Sequence, residues 1–401
     1  MKPGCVSFGR FVRSLVWELP MRRLMPLFLL LAACGASGGE AVESNAAAVQ
    51  ASGARPFEAR RITTFDEPWA MAFLPGPGPR ALVTEKKGKL KLLWSDVGRV
   101  GDVAGAPAVD YGGQGGFGDV VLHPRFAQNR LVYLSWVEPG EGGRRGAVVG
   151  RARLAMETGT APRLEGLQVI WRQTPKLSGR GHYGHRIAFG PDGKLYISNG
   201  DRQEFTPAQD MSGTLGKIVR LNDDGTVPAD NPFASRGGAT AQIWSIGHRN
   251  PLGLAFDGSG RLWDIEMGPK GGDELNLVER GRNYGYPIVS NGDHYDGKDI
   301  PDHPTRPEFA APKVWWTPVI SPGNMIFYSG GAFPGWRGDI LVAGLSSKAL
   351  IRVDVNGTSA REAERWDMGK RIREVEQGPD GSVYLLEDGP GGGLLKLTPA
   401  R

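Results

Sequence analysis

Two histidines stand three residues apart in the segment GHYGHRIAFGPDGKLY, residues 181–196. His182 and His185 are open to three interpretations: a pair of metal ligands, a general base with a bystander, or two solvated loop residues. An interval of three brings side chains together on a helix but sends them to opposite faces of an extended strand. Gly181 and Gly184 flank the first histidine and disfavour a helix, so the pattern argues against a metal pair.

A carboxylate follows His182 by nineteen residues, at Asp201. The dipeptide Asp192-Gly193 between them predicts a tight turn that joins two strands into a hairpin. A hairpin returns the chain to the end where it started, so Asp201 can reach His182 and orient its ring, as the partner of a general base does. A solvated loop histidine is the alternative that these residues alone leave open.

Four further stretches have the residue types of a binding site. Glycines around Gln114 let the backbone approach a ligand closely. Arg249 and Asn250, before an apolar strand, offer a guanidinium that can fork onto a carboxylate or carbonyl oxygen. Each stretch also has a plain structural interpretation, as a blade connection or a solvated charge. The stretches are GGQGGFGDVVLHP (112–124), IGHRNPLGLAF (246–256), IEMGPKGGDELNLVERGRNYGYP (265–287) and RIREV (371–375).

The last two stretches suggest charged ligands. Asp273 and Glu274 among glycines give the oxygen-rich, flexible backbone that calcium favours, although EF-hand spacing is absent. Arg371 and Arg373 alternate with an isoleucine, so both face one side of a strand, where they bind an anion or face solvent. CxxC, HExxH and P-loop motifs are absent from the sequence, which disfavours zinc chemistry.

A loose repeat of strand, turn and strand must position these residues. Helical periodicity is scarce, and the hairpins recur at the spacing of propeller blades. We therefore predict an all-β fold: a six-bladed β-propeller with four-stranded antiparallel blades and long top-face loops. Two β-sandwiches are the alternative, but no linker divides residues 57–401, which favours one domain. The six copies span residues 73–93, 122–136, 189–201, 255–268, 333–353 and 377–389.

The first 56 residues read as a leader and a tether. Arg22 and Arg23 precede an apolar run that is too short to span a bilayer, and LAAC at 31–34 resembles a bacterial lipobox. We expect a leader over 1–33 with its true start at Met21, a lipidated flexible tether over 34–56, and a membrane anchor at Cys34. Export to the periplasmic side follows, with outer-membrane anchoring. A plain secretory signal is the alternative.

The basic charge of the chain belongs to the leader. The formal net charge is +5, but residues 1–33 contain five basic residues and one acidic residue, which leaves 43 basic and 42 acidic residues elsewhere. Because the excess basic charge is confined to the leader, the charge of the chain does not indicate a nucleic-acid partner. Both cysteines of the chain, Cys5 and Cys34, precede the domain, which therefore has no disulfide to form.

Together these stretches resemble the soluble pyrroloquinoline quinone (PQQ)-dependent sugar dehydrogenases, namely the aldose sugar dehydrogenase branch of the glucose/sorbosone dehydrogenase family. The resemblance covers about 69–399, and its most distinctive segments are GHRNPLGLAF, EMGPKGGDELNLV with GRNYGYP, and LGKIVRLNDDGTVPADNPF (215–233). It implies a six-bladed propeller that binds PQQ and Ca²⁺ and oxidises aldose sugars at C1 to lactones. Hydride passes from C1 of the sugar to C5 of the quinone, and the reduced quinone then donates electrons to an acceptor that the sequence does not identify.

The resemblance also implies roles for single residues. His182 resembles the general base, Asp201 its orienting carboxylate, and Arg249 the arginine that stabilises charge on the quinone. Trp316 resembles the aromatic residue that borders sugar and cofactor. Further cofactor contacts are implied for Gln114, Asn250, Arg371 and Arg373. The carbonyls of Gly268 and Pro269 resemble ligands of a calcium ion that also binds the quinone, and Glu274 with the carbonyl of Tyr284 resembles a second, structural calcium site.

Three positions depart from the family pattern. Gly181 stands where some relatives carry an aspartate, and Met267 replaces a glutamine. Ser346 occupies the place of a cofactor-binding lysine, and Lys348, two residues on, is the candidate to replace it. The competing hypotheses are a calcium-dependent six-bladed lactonase and a non-catalytic propeller that binds a glycan or a partner. We expect a monomer or a homodimer.

Overall fold

The six strand–turn–strand repeats form the inner strands of six antiparallel sheets. The computed structural model describes residues 55–157 and 159–400, and this part contains six four-stranded sheets besides one two-stranded sheet. The innermost strand of each four-stranded sheet contacts the innermost strands of both neighbouring sheets, which closes a ring. The predicted six-bladed β-propeller with four-stranded blades is confirmed.

The chain enters the ring through β1 (Phe57–Asp66), which belongs to the last blade. The first three blades comprise β2 (Pro68–Leu74), β3 (Arg80–Glu85), β4 (Lys89–Trp94) and β5 (Arg99–Val103); β6 (Phe117–Leu122), β7 (Leu131–Pro139), β8 (Arg145–Ala155) and β9 (Arg163–Arg172); and β10 (Gly184–Phe189), β11 (Leu195–Asn199), β12 (Lys217–Leu221) and β13 (Ile243–Ile246).

The fourth blade carries an insertion with its own small sheet of β16 (Lys270–Gly271) and β18 (Gly292–Asp293). The remaining strands are β14 (Pro251–Phe256), β15 (Leu262–Glu266), β16 (Lys270–Gly271), β17 (Asp273–Val278), β18 (Gly292–Asp293) and β19 (Val314–Trp316); β20 (Pro322–Phe327), β21 (Ile340–Gly344), β22 (Ala349–Asn356) and β23 (Ser359–Asp367); and β24 (Ile372–Gln377), β25 (Val383–Glu387) and β26 (Pro390–Pro399). Besides the strands, the described residues contain one short helix, α1 (Phe126–Asn129). They also contain 3₁₀ turns at Glu141–Gly143, Thr206–Ala208, Ala234–Arg236, Thr240–Gln242, His303–Thr305 and Pro334–Trp336.

The sixth blade is built from both ends of the domain. β1 pairs antiparallel with β26, so that Phe57 lies opposite Pro399. The sequence FEARRITTFD has no turn motif of its own, so the repeat pattern did not reveal this pairing. Ring closure therefore depends on hydrogen bonds between segments that are more than 300 residues apart.

The core is divided among the interfaces between blades. Each of six hydrophobic clusters lies mainly between two adjacent blades, and together they cover all six interfaces. The second strands, such as β11 (LYISN) and β15 (LWDIE), are buried along their whole length because both of their faces pack against other sheets. This packing fixes the inner strands rigidly and leaves their connecting loops to carry function.

Antiparallel pairing brings the candidate residues to one face. The segment before the first strand of a blade and the segment after its second strand lie at the same edge of the sheet. His182 precedes β10 and Asp201 follows β11, so both lie at this edge. The predicted leader and tether (1–33 and 34–56, with Cys34) lie outside the described residues, apart from 55 and 56. No helix of the described residues is long and apolar enough to cross a membrane.

Candidate active site

The predicted hairpin brings His182 and Asp201 into contact. Gly184 pairs with Asn199 across β10 and β11, and His182 Nδ1 lies 2.7 Å from Asp201 Oδ1. A carboxylate only accepts hydrogen bonds, so the Nδ1–H donates and the neutral ring keeps an unprotonated Nε2. The contact expected from the interval of nineteen residues is therefore present, with one ring nitrogen left to accept a proton.

The surroundings of His182 keep its ring neutral. Burial lowers the pKa of His182, Asp201 opposes this shift, and the nearby charge of Arg249 adds to it. Asp201 is fully buried and also accepts hydrogen bonds from the backbone N–H groups of Gln203 (3.0 Å) and Phe205 (3.3 Å). A buried, neutral histidine held by an anchored carboxylate has the protonation state that a general base needs.

Strained backbone is concentrated in the same two segments. His182 (φ 46°), His185 (φ 55°), Arg202 (φ 60°), Gln203 (φ 65°) and Phe205 (φ 60°) all adopt left-handed conformations. Such conformations are unfavourable for residues other than glycine and persist only where the surroundings enforce them. The hydrogen bonds to Asp201 provide that enforcement at Gln203 and Phe205.

Hydrogen bonds tie the histidine to the neighbouring blades. Gln114 Oε1 accepts the backbone N–H of His182 (2.7 Å), and Asn250 Oδ1 accepts that of Gly184 (3.2 Å). The backbone N–H of Asp201 donates to the carbonyl of Arg249 (2.8 Å). Gln114, Asn250 and Arg249 therefore lie together with the histidine–aspartate pair, as the sequence predicted, and each contributes to its position.

Arg249 is fixed by a carboxylate that the sequence analysis did not single out. Glu266 Oε2 accepts the backbone N–H groups of Arg249 (2.6 Å) and Asn250 (3.3 Å), and Arg249 Nη1 donates to the carbonyl of Met267 (2.9 Å). Glu266 Oε1 also lies 3.1 Å from His248 Nδ1. Although burial opposes it, the charges of Asp264 and Glu266 raise the pKa of His248 to about 9, so this histidine is the buried counter-ion of the two carboxylates.

Two adjoining cavities open at this site. The histidine cavity, of about 430 Å³, is lined by His182, Gln203, Phe205, Arg249, Pro269 and the segment from His294 to Lys298. The arginine cavity, of about 330 Å³, is lined by Trp69, Lys86, Gln114, Asn250, Arg371, Arg373 and their neighbours. The segments 182–185, 249–252 and 267–269 contribute to both cavities. A small molecule in either cavity therefore lies next to the contents of the other.

The arginine cavity has an aromatic stack that the sequence analysis missed. The His185 ring stacks on Trp69 with centroids 5.0 Å apart, and the Arg186 guanidinium lies 3.9 Å from the Trp69 ring. Burial lowers the pKa of His185 to about 3, so its ring is neutral. His185, expected to be a bystander, therefore lines this cavity together with Trp69.

Arg371 and Arg373 lie in the arginine cavity and share one carboxylate. Arg371 Nε is 2.9 Å from Asp388 Oδ2, and Arg373 Nη2 is 3.0 Å from Asp388 Oδ1. Both arginines thus face the same side, as the alternation in RIREV predicted. Because one aspartate balances only one of the two charges, the pair is suited to an anionic ligand.

Two predicted contacts are corrected by the structure. Trp316 was expected to border the sugar and cofactor, but it is 1% exposed, packs in the core between the fourth and fifth blades, and donates its Nε1–H to Glu362. Lys348 was expected to line the cofactor site, but it is exposed and lines neither cavity, whereas Leu345 lines the arginine cavity. The strand register of β19 directs Trp316 into the core, whereas Lys348 lies in the turn between β21 and β22 with a left-handed backbone (φ 52°).

The turn at Gly268 gathers carbonyl oxygens. A Cβ atom on Gly268 would lie 2.1 Å from the carbonyl oxygen of Gly272 and 2.6 Å from that of Gly271, so only glycine fits. Asp273 holds the turn by accepting the backbone N–H groups of Gly268 (2.8 Å) and Ile320 (2.8 Å). A tight turn rich in carbonyl oxygens beside the histidine cavity fits a hard cation such as calcium.

Glu274 lies in a second group of buried oxygen atoms. Asp264 pairs with Asn276 and Glu266 with Glu274 across β15 and β17, which places all four side chains on one face. Neither oxygen of Asp264 accepts a well-aligned hydrogen bond, although Oδ2 is 3.0 Å from His248 Nδ1. Within the described residues, one group of three metal-ligating side chains has its ligand atoms within 4.8 Å of one another: His248, Asp264 and Glu266. The Tyr284 ring stacks on His248 with centroids 4.7 Å apart, so Glu274 and the Tyr284 ring border this group.

A neutral, carboxylate-oriented histidine between two small-molecule cavities defines an enzyme of the six-bladed propeller class. The model of the Glucose / Sorbosone dehydrogenase family matches residues 65–396. This chain therefore belongs to the glucose/sorbosone dehydrogenase family and is an oxidoreductase.

Its relatives include the aldose sugar dehydrogenase YliI of Escherichia coli (strain K12), which is 40% identical over 83% of this chain and 90% of that protein. The crystal structure of the soluble aldose sugar dehydrogenase from Escherichia coli in the apo-form matches with a TM-score of 0.79 and 38% identity, over 86% of this chain and 100% of that one. The PQQ-bound aldose sugar dehydrogenase from Streptomyces coelicolor matches with a TM-score of 0.69 and 27% identity, over 88% and 99%.

Proposed function

We propose that this chain oxidises the C1 hydroxyl of aldose sugars to lactones, with pyrroloquinoline quinone as the electron acceptor and calcium as its partner ion. The observation that carries the proposal is the histidine cavity, where His182 keeps one ring nitrogen free to accept a proton next to the arginine cavity. The aldose sugar dehydrogenase of Streptomyces coelicolor, a relative with this fold, has a PQQ-bound form, which supports the choice of cofactor.

The residues of the arginine cavity fit a flat, anionic quinone. The stacked rings of Trp69 and His185 provide a planar surface. Arg371 and Arg373 share one aspartate and so retain charge for a carboxylate of the ligand. Gln114 and Asn250 add polar groups at the boundary with the histidine cavity. Their side-chain oxygens accept the backbone N–H groups of His182 and Gly184, which fixes both residues relative to the base.

In the proposed reaction the sugar occupies the histidine cavity. His182 Nε2 takes the proton of the C1 hydroxyl, and Asp201 stabilises the imidazolium that forms. Bound in the adjoining cavity, the quinone would supply a two-electron hydride acceptor, with calcium as a Lewis acid. Arg249 lines the sugar cavity with a guanidinium that can stabilise negative charge as it develops.

The calcium ligands that we propose form two groups. The carbonyls of Gly268 and Pro269 lie in the carbonyl-rich turn beside the histidine cavity, where an ion would meet both cavities. For the second ion we propose Glu274 and the carbonyl of Tyr284, because Glu274 shares a sheet face with Asp264 and Glu266 and the Tyr284 ring stacks on His248 beside them, which suits a structural ion.

The location of the enzyme is part of the proposal. The lipobox-like segment ending at Cys34 supports export, with a lipid anchor and a tether that leads to the propeller. The enzyme would then act on the periplasmic side, where sugars are available and an acceptor takes the electrons.

Reconstitution tests the proposal. Purified protein is loaded with the quinone and calcium, and dye reduction is measured with a panel of mono- and disaccharides. His182→Gln is the matched variant, because its amide can still donate to Asp201. We expect it to bind the quinone as the wild type does and to lose about 10²–10⁴ in kcat. A wild type that neither binds the quinone nor reduces the dye with any aldose refutes the function, and full turnover in His182→Gln removes the base.

A further inference from the structure

Lys86 lines the arginine cavity without a part in the function proposed above. It is the first residue after β3, the second strand of the first blade. The corresponding positions of the fourth, fifth and sixth blades, Met267, Leu345 and Asp388, line the same cavity. Lys86 therefore occupies the position from which other blades also reach this cavity.

The ammonium group of Lys86 has no carboxylate partner. Its Nζ donates to the carbonyl of Gly113 (3.2 Å), and no ion pair of Lys86 is found in the described part of the chain. Lys87, the next residue, instead pairs with Asp66 at 2.9 Å. Glu67, which also lines the cavity, accepts the hydroxyl of Tyr111 at 2.9 Å. The charge of Lys86 is thus left for a ligand.

Backbone contacts hold Lys86 in place. Its N–H donates to the carbonyl of Glu67 (2.9 Å), and its carbonyl accepts the N–H of Phe117 (2.8 Å) from the second blade. Burial lowers the pKa of Lys86 and the charge of Arg373 lowers it further, whereas the charges of Glu67 and Asp388 oppose this shift. An anion between these cations would relieve their repulsion, because it stabilises both charges.

The charge of the cavity as a whole also favours an anion. Three cationic side chains line it, Lys86, Arg371 and Arg373, against two carboxylates, Glu67 and Asp388, which leaves a net charge of +1. The fifth blade adds no charge here, because Leu345 lines the cavity and Lys348 does not. The first blade therefore supplies the third cation.

We propose that Lys86 is a cofactor-anchoring residue whose ammonium group binds a carboxylate of the quinone in the arginine cavity. This inference rests on the proposed function, since it requires the quinone to occupy that cavity. It assigns to the first blade a contact that the sequence analysis had sought at Lys348.

Calorimetric titration of the calcium-loaded apo-protein with the quinone tests the assignment without turnover. We expect Lys86→Met to weaken binding by about ten- to a hundredfold, the range for loss of a charge-assisted hydrogen bond. Its affinity should also depend less on salt, because one counter-charge is removed. Lys86→Arg should recover most of the affinity, and Lys87→Met, the neighbouring control, should bind as the wild type does.

The outcomes separate this inference from the function on which it rests. A wild type that binds no quinone overturns the proposed function itself. A wild type that binds, together with a Lys86→Met variant of equal affinity and equal salt dependence, overturns only the role of Lys86. Thermal unfolding of the variants without quinone guards against a folding defect. An equal loss of thermal stability in Lys86→Arg and Lys86→Met, together with an equal loss of quinone affinity, would show that the side chain is structural and would also overturn the role.

Discussion

Arg186, in the innermost strand of the third blade, lies at the centre of the ring and contacts the innermost strands of all five other blades. Its guanidinium stacks on Trp69, makes ion pairs with two buried carboxylates and donates to two backbone carbonyls. The partners in blade order are Trp69 (3.9 Å to the ring), Asp119 (3.2 Å), the carbonyl of Leu252 (2.8 Å), the carbonyl of Gly323 (2.6 Å) and Glu374 (2.8 Å). We predict that this one side chain accounts for a large part of the stability of the closed ring.

Replacing Arg186 by methionine keeps the apolar stem but removes the charge. Asp119 and Glu374 are then buried without a cation, and breaking a buried ion pair in this way costs about 3–5 kcal/mol. The carbonyls of Leu252 and Gly323 lose their donor as well, at about 1–3 kcal/mol for each buried group left unsatisfied. These terms share one side chain and do not add fully, so we expect a loss of at least about 4 kcal/mol in the free energy of unfolding at neutral pH.

The loss should depend on pH with a defined sign. Burial raises the pKa of Asp119, and that of Glu374 to about 8, while Arg186 lowers both. Without Arg186 both values rise further above those of the unfolded chain, so the folded variant binds more protons. Its stability therefore decreases as pH rises, and the deficit relative to the wild type should be smaller at about pH 5 than at about pH 8.

Urea denaturation followed by tryptophan fluorescence measures the loss. Arg361→Met is the control, because its ion pair with Asp354 is exposed and worth at most about 1 kcal/mol. Adding Asp119→Asn and Glu374→Gln to Arg186→Met should recover part of the stability, since the two carboxylates that Arg186 pairs with are then neutral. A deficit no larger than that of Arg361→Met, or one that does not change with pH, would refute the reasoning.

Three further predictions concern the site. Asp201→Asn should lower kcat by about 10²–10⁴. It should also shift the acid limb of the pH profile of kcat to lower pH, because the carboxylate raises the pKa of His182. An unchanged pH profile would contradict the pairing. Lys217→Met removes the donor to three backbone carbonyls, those of residues 207, 208 and 215, and should lower the free energy of unfolding in urea by at least about 2 kcal/mol. It should also raise KM for the sugar, because residues 207 and 208 support the loop of Phe205. An unchanged KM would limit the role of Lys217 to stability. Chelation with EGTA should lower the Tm and added calcium should restore it, with a smaller shift in Glu274→Gln; equal shifts in both proteins would place the structural ion elsewhere.

Much of the fold followed from the sequence because its signals are local. The turn at Asp192-Gly193 and the apolar runs on either side define a hairpin whatever the rest of the chain does. His182 and Asp201 flank that hairpin, so their contact at 2.7 Å needed only the return of the chain on itself. The alternation of Arg371 and Arg373 is equally local and placed both on one side.

Contacts between blades were harder to predict from the sequence. Neighbouring tryptophans on a strand point to opposite faces, so the motif WWTPV did not show that Trp316 faces the core. Lys86 looked like one of two lysines in an ordinary turn. Alignment of ALVTEK with LYISNGD and LWDIEMG by their second strands would have placed it at the cavity edge.

Sequence alone predicted the repeat, the contact of His182 with Asp201 and, by resemblance, the family, since each prediction rests on short local segments. Which side chains line the two cavities was decided only by the folded ring. The packing of the blades in the ring brings Trp69 and Lys86 to the arginine cavity, whereas Trp316 packs in the core and Lys348 lines neither cavity. A strand fixes the alternation of its own side chains, whereas only packing against the neighbouring blades fixes which face meets the cavity.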